Sequence, residues 1–260
     1  MRTITSIKNA KGGVPLTVIT AYDSLFASIF NGKTDMILVG DSLNMSFNSK
    51  LDTLSATLDI MIYHTKAVCL GAPDTFVICD MPFSTYTDEK MALKNASRVY
   101  QETTAHAVKI EGGSERAHII KSLTQNSIAV VGHIGLMPQF VRSEGGYKIR
   151  GKDEQDTLRL IEDAKAVEAA GAFCVVIEGV KAEAAKRISE SISIPTIGIG
   201  AGSDTDGQVL VWSDMLGFFQ KFQPKFVKRY LDGANLVTDA VDHYVSDVQT
   251  RKFPATEHTY

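Results

Sequence analysis

This sequence has few cysteines, little net charge and no long apolar runs. The net charge is −3 and the isoelectric point is about 6.1, so charge gives no reason to expect nucleic acid or an anionic membrane as a partner. No run approaches the roughly 20 apolar residues that a membrane-spanning helix needs, and residues 1–8 lack the apolar core of a signal peptide. We therefore expect a cytoplasmic protein that acts on small molecules.

The three cysteines, Cys69, Cys79 and Cys174, are odd in number, lie in apolar surroundings and lack the spacing of metal-binding motifs. This pattern argues against a disulfide framework and against a zinc cluster. It predicts free, buried thiols in a reducing compartment.

What the sequence does contain is a regular series of short apolar runs. The chain has 260 residues, of which 44% are hydrophobic, enough for one large α/β domain. No linker, repeat or low-complexity tract divides it, so we predict a single domain over residues 1–260 that ends in helices. The predicted strands are 17–23, 36–42, 76–82, 107–113, 128–133, 173–179, 195–202 and 208–214.

Segments with helical spacing of apolar residues separate most of these runs. The loop 135–152 is long, glycine-rich and basic, which is typical of a lid, although a solvated loop fits equally well. We expect Ser114 to cap the helix that follows it. The predicted helices are 24–30, 54–70, 88–103, 115–125, 153–170, 182–191, 224–231 and 236–248.

Eight strands that alternate with helices predict a (β/α)₈ TIM barrel, with a doubly wound open sheet as the alternative. Charged or ionisable residues lie at the carboxyl ends of several of these strands. In a barrel those ends meet on one face, where the side chains would line a single basin. The residues concerned are Asp41, Asp80, Lys109, Glu111, His133 and Glu178.

Taken singly, each of these residues has a simpler explanation. Asp41 or Asp80 could cap the next helix, and His133 could be a hydrogen-bonded core histidine. Lys109 and Glu111 are two apart in a strand, so they point the same way and could form an ordinary ion pair.

Taken together, the residues indicate a catalytic site. Two aspartates and a glutamate at close range would repel unless a cation neutralised them, and oxygen ligands of this kind suit Mg²⁺ rather than zinc. Such a metal would polarise a carbonyl and stabilise an enolate. Glu178 ends an apolar run, so lost hydration would raise its pKa towards that of a general base for the neighbouring C–H proton. Lys109 and Ser42 could hold an adjoining carboxylate.

Six motifs in this order make the chain resemble the ketopantoate hydroxymethyltransferase family over residues 17–258. They are Thr20-Ala21-Tyr22-Asp23, Val39-Gly40-Asp41-Ser42-Leu43, Val108-Lys109-Ile110-Glu111-Gly112-Gly113, Gly132-His133-Ile134-Gly135-Leu136, Gly145-Gly146-Tyr147-Lys148 and Ile197-Gly198-Ile199-Gly200-Ala201-Gly202.

The resemblance implies a barrel of the phosphoenolpyruvate/pyruvate superfamily. It also implies transfer of a hydroxymethyl group from methylenetetrahydrofolate to 3-methyl-2-oxobutanoate, which gives 2-dehydropantoate (ketopantoate) in the first committed step of pantothenate synthesis. Members of the family are typically cytoplasmic homo-oligomers, often decamers.

Carried onto this sequence, the resemblance also implies roles for the strand-end residues. Asp41 and Asp80 would bind Mg²⁺ directly, and Glu111 would be a third group of the metal site. Glu178 would accept the proton, and His133 would support the site. The residues that would contact the oxo acid are Asp41, Ser42, Asp80 and Lys109.

Two other functions remain open from the residues alone. A related Mg²⁺-dependent lyase or mutase of the same superfamily could act on another 2-oxo acid or its phospho form, and the glycine-rich segment 198–202 lies where barrels often bind phosphate. A catalytically inactive barrel that serves as a binding module is the second alternative.

Overall fold

A computed structural model describes residues 1–220 and 223–260 of the chain. Within them, eight parallel strands close into a barrel in chain order, with β1 paired to β8. The predicted TIM barrel is confirmed and the open sheet is wrong, because an open sheet leaves its edge strands unpaired. The strands are β1 (Leu16–Thr20), β2 (Met36–Val39), β3 (Phe76–Asp80), β4 (Ala107–Glu111), β5 (Val130–Gly135), β6 (Cys174–Glu178), β7 (Thr196–Ile199) and β8 (Gly207–Leu210).

Helices follow most of the strands, and additional short helical segments lie near the site and at the amino terminus. Short 3₁₀ turns span Ser114–Arg116, Pro138–Phe140 and Thr256–His258. The helices are α1 (Ile4–Lys8), α2 (Ser24–Phe30), α3 (Leu43–Ser46), α4 (Leu58–Gly71), α5 (Glu89–Glu102), α6 (Ala117–Gln125), α7 (Glu154–Ala169), α8 (Ala182–Glu190), α9 (Trp212–Met215) and α10 (Gly233–Gln249).

The strands are buried on both faces, which explains why their sequences are nearly continuous apolar runs. Inward-facing side chains such as Val18, Met36 and Val176 form the core of the barrel, and Ile7 of α1 joins it. On the outer side α7 lies so close to β5 that a Cβ at Gly132 would stand 2.3 Å from Val167. The barrel is therefore packed on its inner and outer sides.

Several predicted element boundaries are wrong, and a local hydrogen bond explains one of them. Thr57, whose hydroxyl accepts from the Ile60 N–H, begins α4 four residues later than predicted. Ser114 does not cap a helix, because it starts a 3₁₀ turn and α6 begins only at Ala117. The last predicted strand, 208–214, ends at Leu210 and gives way to α9.

The chain divides into two compact units, residues 1–211 and 212–260. The first contains the barrel and the second contains α9 and α10. Within the second, the helix predicted at 224–231 is wrong: the Tyr230 N–H donates to the Met215 carbonyl rather than to a residue four positions earlier. The helix predicted at 236–248 is confirmed as part of α10. That the whole chain forms one domain stays a prediction.

Among the described residues no helix is long and apolar enough to cross a membrane. The three cysteines are free; Cys79 and Cys174 are buried, whereas Cys69 is half-buried.

Candidate active site

The ionisable residues predicted from the strand ends do meet at one end of the barrel. Asp80 is the last residue of β3 and Glu178 is the last residue of β6. Strand pairing sets Lys109 beside Asp80 and His133 beside Glu111. All of these side chains lie at the carboxyl ends of the strands, the face on which TIM barrels carry their active sites.

Lys109 is the cation at the centre of this cluster. Its Nζ lies 2.7 Å from Asp80 Oδ1, 3.0 Å from His133 Nδ1 and 4.0 Å from Glu111 Oε1, and only 4% of its side chain is exposed. Burial alone would lower the pKa of Lys109, but attraction by Asp80, Glu111 and Asp41 outweighs it and raises the pKa. Lys109 is therefore an ammonium ion, and it shares the inner face of β4 with Glu111 as predicted.

Asp41 and Asp80 are buried side by side, and neither caps a helix. The Asp41 N–H donates to Asp80 Oδ2 at 3.1 Å. Helix α3 begins after Ser42, and the cap of α5 is Asp88. Burial, followed by repulsion from Asp80, raises the pKa of Asp41 to about 7. The simpler explanation of these two aspartates as helix caps is therefore wrong.

Glu111 completes the group of buried carboxylates. Burial raises its pKa well above the ordinary range, against the attraction of Lys109 and with added repulsion from Asp41 and Asp80. With every group ionised, three carboxylates and one ammonium leave a local charge of −2. Lys109 therefore supplies part of the neutralising charge, and a divalent cation would balance the remainder.

The donor set fits Mg²⁺ if water supplies part of its coordination. Within residues 1–220 and 223–260, no group of three or more His, Cys, Asp or Glu side chains converges closely enough to hold a metal ion. Mg²⁺ usually takes only one or two carboxylates and keeps several waters. Glu111 Oε1 is buried and accepts no hydrogen bond, as expected of an oxygen that faces an ion or its water. Asp41 and Asp80 could thus hold hydrated Mg²⁺ with Glu111 nearby.

His133 lies between the lysine and the acid at the end of β6. Its Nδ1 faces Lys109, and its Nε2 lies 3.3 Å from Glu178 Oε2. Burial, then the positive charge of Lys109, lowers the pKa of His133 well below its usual value, so the imidazole is neutral. Burial raises the pKa of Glu178 to about 7, although 21% of its side chain stays exposed. Glu178 is thus an accessible carboxylate with the proton affinity of a general base near neutral pH.

Ser42 has a hydroxyl that does not cap its own helix. It stands at the start of α3 without a side-chain capping bond, and its Oγ instead pairs with the Tyr22 hydroxyl at 2.8 Å. A Cβ at Gly40 would come 2.8 Å from that Oγ and 3.5 Å from Asp80 Oδ2. A side chain at position 40 would therefore crowd the Ser42 hydroxyl, and glycine avoids this.

Sequence reasoning missed Gln139, which lies in the loop after β5. Its backbone N–H donates to Glu111 Oε2 at 3.0 Å, and its side-chain amide donates to Asp41 Oδ2 at 2.8 Å and to the Met81 carbonyl at 3.0 Å. The Tyr86 hydroxyl donates to its amide oxygen at 2.5 Å. No periodicity or charge marks such a residue, because its role depends on where an irregular loop enters the site.

The rest of that loop is less basic in effect than its sequence suggests. Arg142 pairs with Asp52 at 2.9 Å, and Arg150 pairs with Asp156 at 2.8 Å and Glu144 at 3.5 Å. Both arginines are thus engaged by carboxylates of the chain itself. That the loop acts as a lid stays a prediction.

A closed parallel barrel with buried carboxylates, a lysine and a histidine at its carboxyl end defines a TIM-barrel protein with an enzyme-like site. Solved structures show the same fold. Phosphonopyruvate hydrolase, in complex with oxalate and Mg²⁺, matches with a TM-score of 0.62 at 11% identity, over 99% of this chain and 93% of that one. A 2,3-dimethylmalate lyase of the PEP mutase/isocitrate lyase superfamily matches with a TM-score of 0.57 at 15% identity, over 98% and 90%. At these identities the likeness shows a shared barrel fold.

Sequence relatives are much nearer. The family model described as ketopantoate hydroxymethyltransferase matches residues 1–256. Proteins named 3-methyl-2-oxobutanoate hydroxymethyltransferase are 65% identical in Aliarcobacter butzleri (99% of this chain, 96% of that protein) and 62% identical in Sulfurimonas denitrificans (99% and 98%). One from Helicobacter pylori is 55% identical (99% and 96%). The chain belongs to the ketopantoate hydroxymethyltransferase family.

Proposed function

We propose that this chain transfers a hydroxymethyl group from methylenetetrahydrofolate to 3-methyl-2-oxobutanoate, giving 2-dehydropantoate in the first committed step of pantothenate synthesis. Relatives named for this activity share 55–65% of their residues with the chain over nearly its full length. The observation that carries the proposal is the row Lys109–His133–Glu178, in which a buried ammonium ion and a carboxylate with a pKa of about 7 lie on either side of one imidazole. A 2-oxo acid that must lose the proton at C3 needs both groups.

The substrate carboxylate is bound by the positive and hydroxyl groups of the site. The ammonium of Lys109, already held by Asp80, attracts the carboxylate, and the Ser42 hydroxyl donates to it while Tyr22 holds that hydroxyl from behind. Asp41 and Asp80 lie against the same end of the oxo acid. These contacts orient the substrate with C3 towards Glu178.

Asp41 and Asp80 would hold Mg²⁺, with Glu111 acting through water. When bound, Mg²⁺ would act as a Lewis acid that polarises the 2-oxo group and stabilises the charge that develops as C3 loses its proton. The net charge of −2 that Lys109 and the three carboxylates would carry when ionised, together with the buried Glu111 oxygen that accepts no hydrogen bond, supports this assignment.

Glu178 takes the C3 proton onto its carboxylate, and the C–H electron pair passes into the enolate. Neutral His133 lies between Glu178 and Lys109, so the ammonium group of Lys109 does not contact the Glu178 carboxylate directly. The enolate carbon then forms a bond to the methylene carbon of the folate as one of the two C–N bonds of that carbon breaks, and the freed nitrogen takes up the proton from Glu178. Water then replaces the second folate nitrogen on that carbon: its oxygen becomes the hydroxyl group, one of its protons goes to the nitrogen, and tetrahydrofolate leaves.

The family resemblance also supports a cytoplasmic homo-oligomer, and we propose a decamer as the assembly to test. Light scattering on a size-exclusion column gives the mass directly. A monomer at micromolar concentration would contradict this part of the proposal.

The competing function is a Mg²⁺-dependent lyase or mutase of the same superfamily. Solved lyases and hydrolases share the fold at 11–15% identity, far below the 55–65% of the named transferases, so they support the architecture alone.

Product analysis separates the two. The chain, Mg²⁺ and 3-methyl-2-oxobutanoate are incubated with and without methylenetetrahydrofolate, and the products are followed by mass spectrometry. We expect 2-dehydropantoate only when both substrates are present. Cleavage or rearrangement of a 2-oxo acid without folate would favour the lyase or mutase.

A further inference from the structure

Gln139 connects segments of the site that are far apart in sequence. Its backbone N–H binds Glu111 of β4, and its side-chain amide binds Asp41 after β2 and the carbonyl of Met81 after β3. Only 3% of the residue is exposed. One residue of the loop after β5 thus holds two of the three buried carboxylates.

The amide of Gln139 has one orientation that satisfies its surroundings. Both of its hydrogens point to acceptors, Asp41 Oδ2 and the Met81 carbonyl, and its oxygen accepts from the Tyr86 hydroxyl. If the amide were reversed, its oxygen would face two acceptors and lose both hydrogen bonds. Tyr86, which is also buried, therefore fixes the amide in the orientation that donates to Asp41.

The hydrogen bonds also decide which carboxylate oxygens stay available. Gln139 occupies Oδ2 of Asp41 and Oε2 of Glu111. The other oxygen of Glu111, Oε1, is buried and accepts no hydrogen bond. Glu111 is thus held through one oxygen, which fixes the direction in which its second oxygen points.

We propose that Gln139 is a positioning residue of the metal site, which sets the orientation of Asp41 and Glu111 for Mg²⁺, and that Tyr86 acts through it by fixing its amide. The inference rests on the proposed function, since it takes these carboxylates to be the metal site. Groups that orient metal ligands in this way typically contribute about 10- to 100-fold to metal affinity or activity.

Replacing the amide while keeping the side-chain shape tests the proposal. Gln139→Met removes the bonds to Asp41 and Met81 but leaves the backbone N–H that binds Glu111. In calorimetric titrations of the full chain with Mg²⁺ alone, we expect its Kd to rise about 10- to 100-fold. Tyr86→Phe should raise the Kd less, because the amide is retained but no longer anchored. Gln155→Met, at an exposed position on α7, is the matched control and should bind as the wild type does.

Two further readouts distinguish positioning from a general structural role. Because Tyr86 acts through Gln139, the double variant should bind Mg²⁺ no more weakly than Gln139→Met alone. In turnover, excess Mg²⁺ should restore kcat in Gln139→Met while the Mg²⁺ concentration for half-maximal rate stays raised. A variant that is only less stable would have a lower Tm but an unchanged Mg²⁺ concentration for half-maximal rate.

Wild-type Mg²⁺ affinity in a folded Gln139→Met chain would overturn the proposal, as would a wild-type chain that binds no Mg²⁺. If Gln139→Met does not fold, Tyr86→Phe decides, and an unchanged Kd there has the same meaning. The titration contains no substrate. A wild type that binds Mg²⁺ but forms no 2-dehydropantoate would therefore refute the proposed function, while weakened binding in the variants would still support the role of Gln139.

Discussion

The charged form of Glu178 should destabilise the folded protein at high pH. Replacing Glu178 should therefore raise the free energy of unfolding by an amount that depends on pH. Burial raises its pKa from 4.5 to about 7, which corresponds to about 3 kcal/mol at 1.36 kcal/mol for each pH unit. Because the folded-state pKa is the higher one, the stability is fully present below pH 4.5 and is lost as pH rises through 7. Glu178→Gln carries no charge, so it should be more stable than the wild type by up to about 3 kcal/mol at pH 8 and by almost nothing at pH 4.5.

The assay is urea unfolding of both chains from pH 4.5 to 8 at one fixed protein concentration, since subunit association would also affect stability. Glu190→Gln, at an exposed position on α8, is the matched control and should show no such gain. The reasoning would be refuted if the difference between Glu178→Gln and the wild type did not change with pH, or if the variant were the less stable chain at pH 8.

Two further predictions concern the groups around Lys109 and Ser42. Asp80→Asn removes the ion-pair partner 2.7 Å from a buried ammonium, so unfolding free energy should fall by about 3–5 kcal/mol; a change under 1 kcal/mol in urea unfolding would contradict that pairing. Gly40→Ala places a Cβ 2.8 Å from Ser42 Oγ and should displace that hydroxyl. KM for the 2-oxo acid should then rise about tenfold, as expected for the loss of one hydrogen bond to a charged group. An unchanged KM in steady-state kinetics would show that Ser42 does not bind the carboxylate.

The fold was predictable because both the short apolar runs of the strands and the helical spacing of apolar residues between them are visible in the sequence. Lys109 and Glu111 stand two apart in an apolar run, and the structure sets both on the inner face of β4, near His133. The strand-end rule for parallel barrels then gathers Asp41, Asp80 and Glu178 at the same face. These inferences need only the alternation of side chains and the direction of the strands.

Three features that were not predicted from the sequence depend on contacts between distant segments. Ser114 has the composition of a helix cap but begins a 3₁₀ turn, with its N–H and hydroxyl both bound to Asp163. The segment 224–231 has helical composition, yet the Tyr230 N–H is donated to Met215. Gln139 carries no signal because nothing in residues 135–152 tells which one reaches the carboxylates. Contacts between distant segments decided each of these cases.

The sequence predicted the main electrostatic features of the site, and the structure adds which groups interact with each other. The expectation that close carboxylates need a cation is met in part by Lys109, which pairs with Asp80. The predicted rise in the pKa of Glu178 agrees with its burial at the end of β6. The position of neutral His133 between Lys109 and Glu178 could not be predicted from the sequence, because it depends on the register of the strands and on side-chain rotamers.

The central claim is that Glu178 removes the C3 proton of the 2-oxo acid before the folate takes part. It is tested most directly by incubating the chain with Mg²⁺ and 3-methyl-2-oxobutanoate in D₂O, without folate, and following the C3 proton by NMR. We predict that the wild type exchanges this proton for deuterium and that Glu178→Gln, although folded, does not. Exchange that continues undiminished in Glu178→Gln would contradict the account.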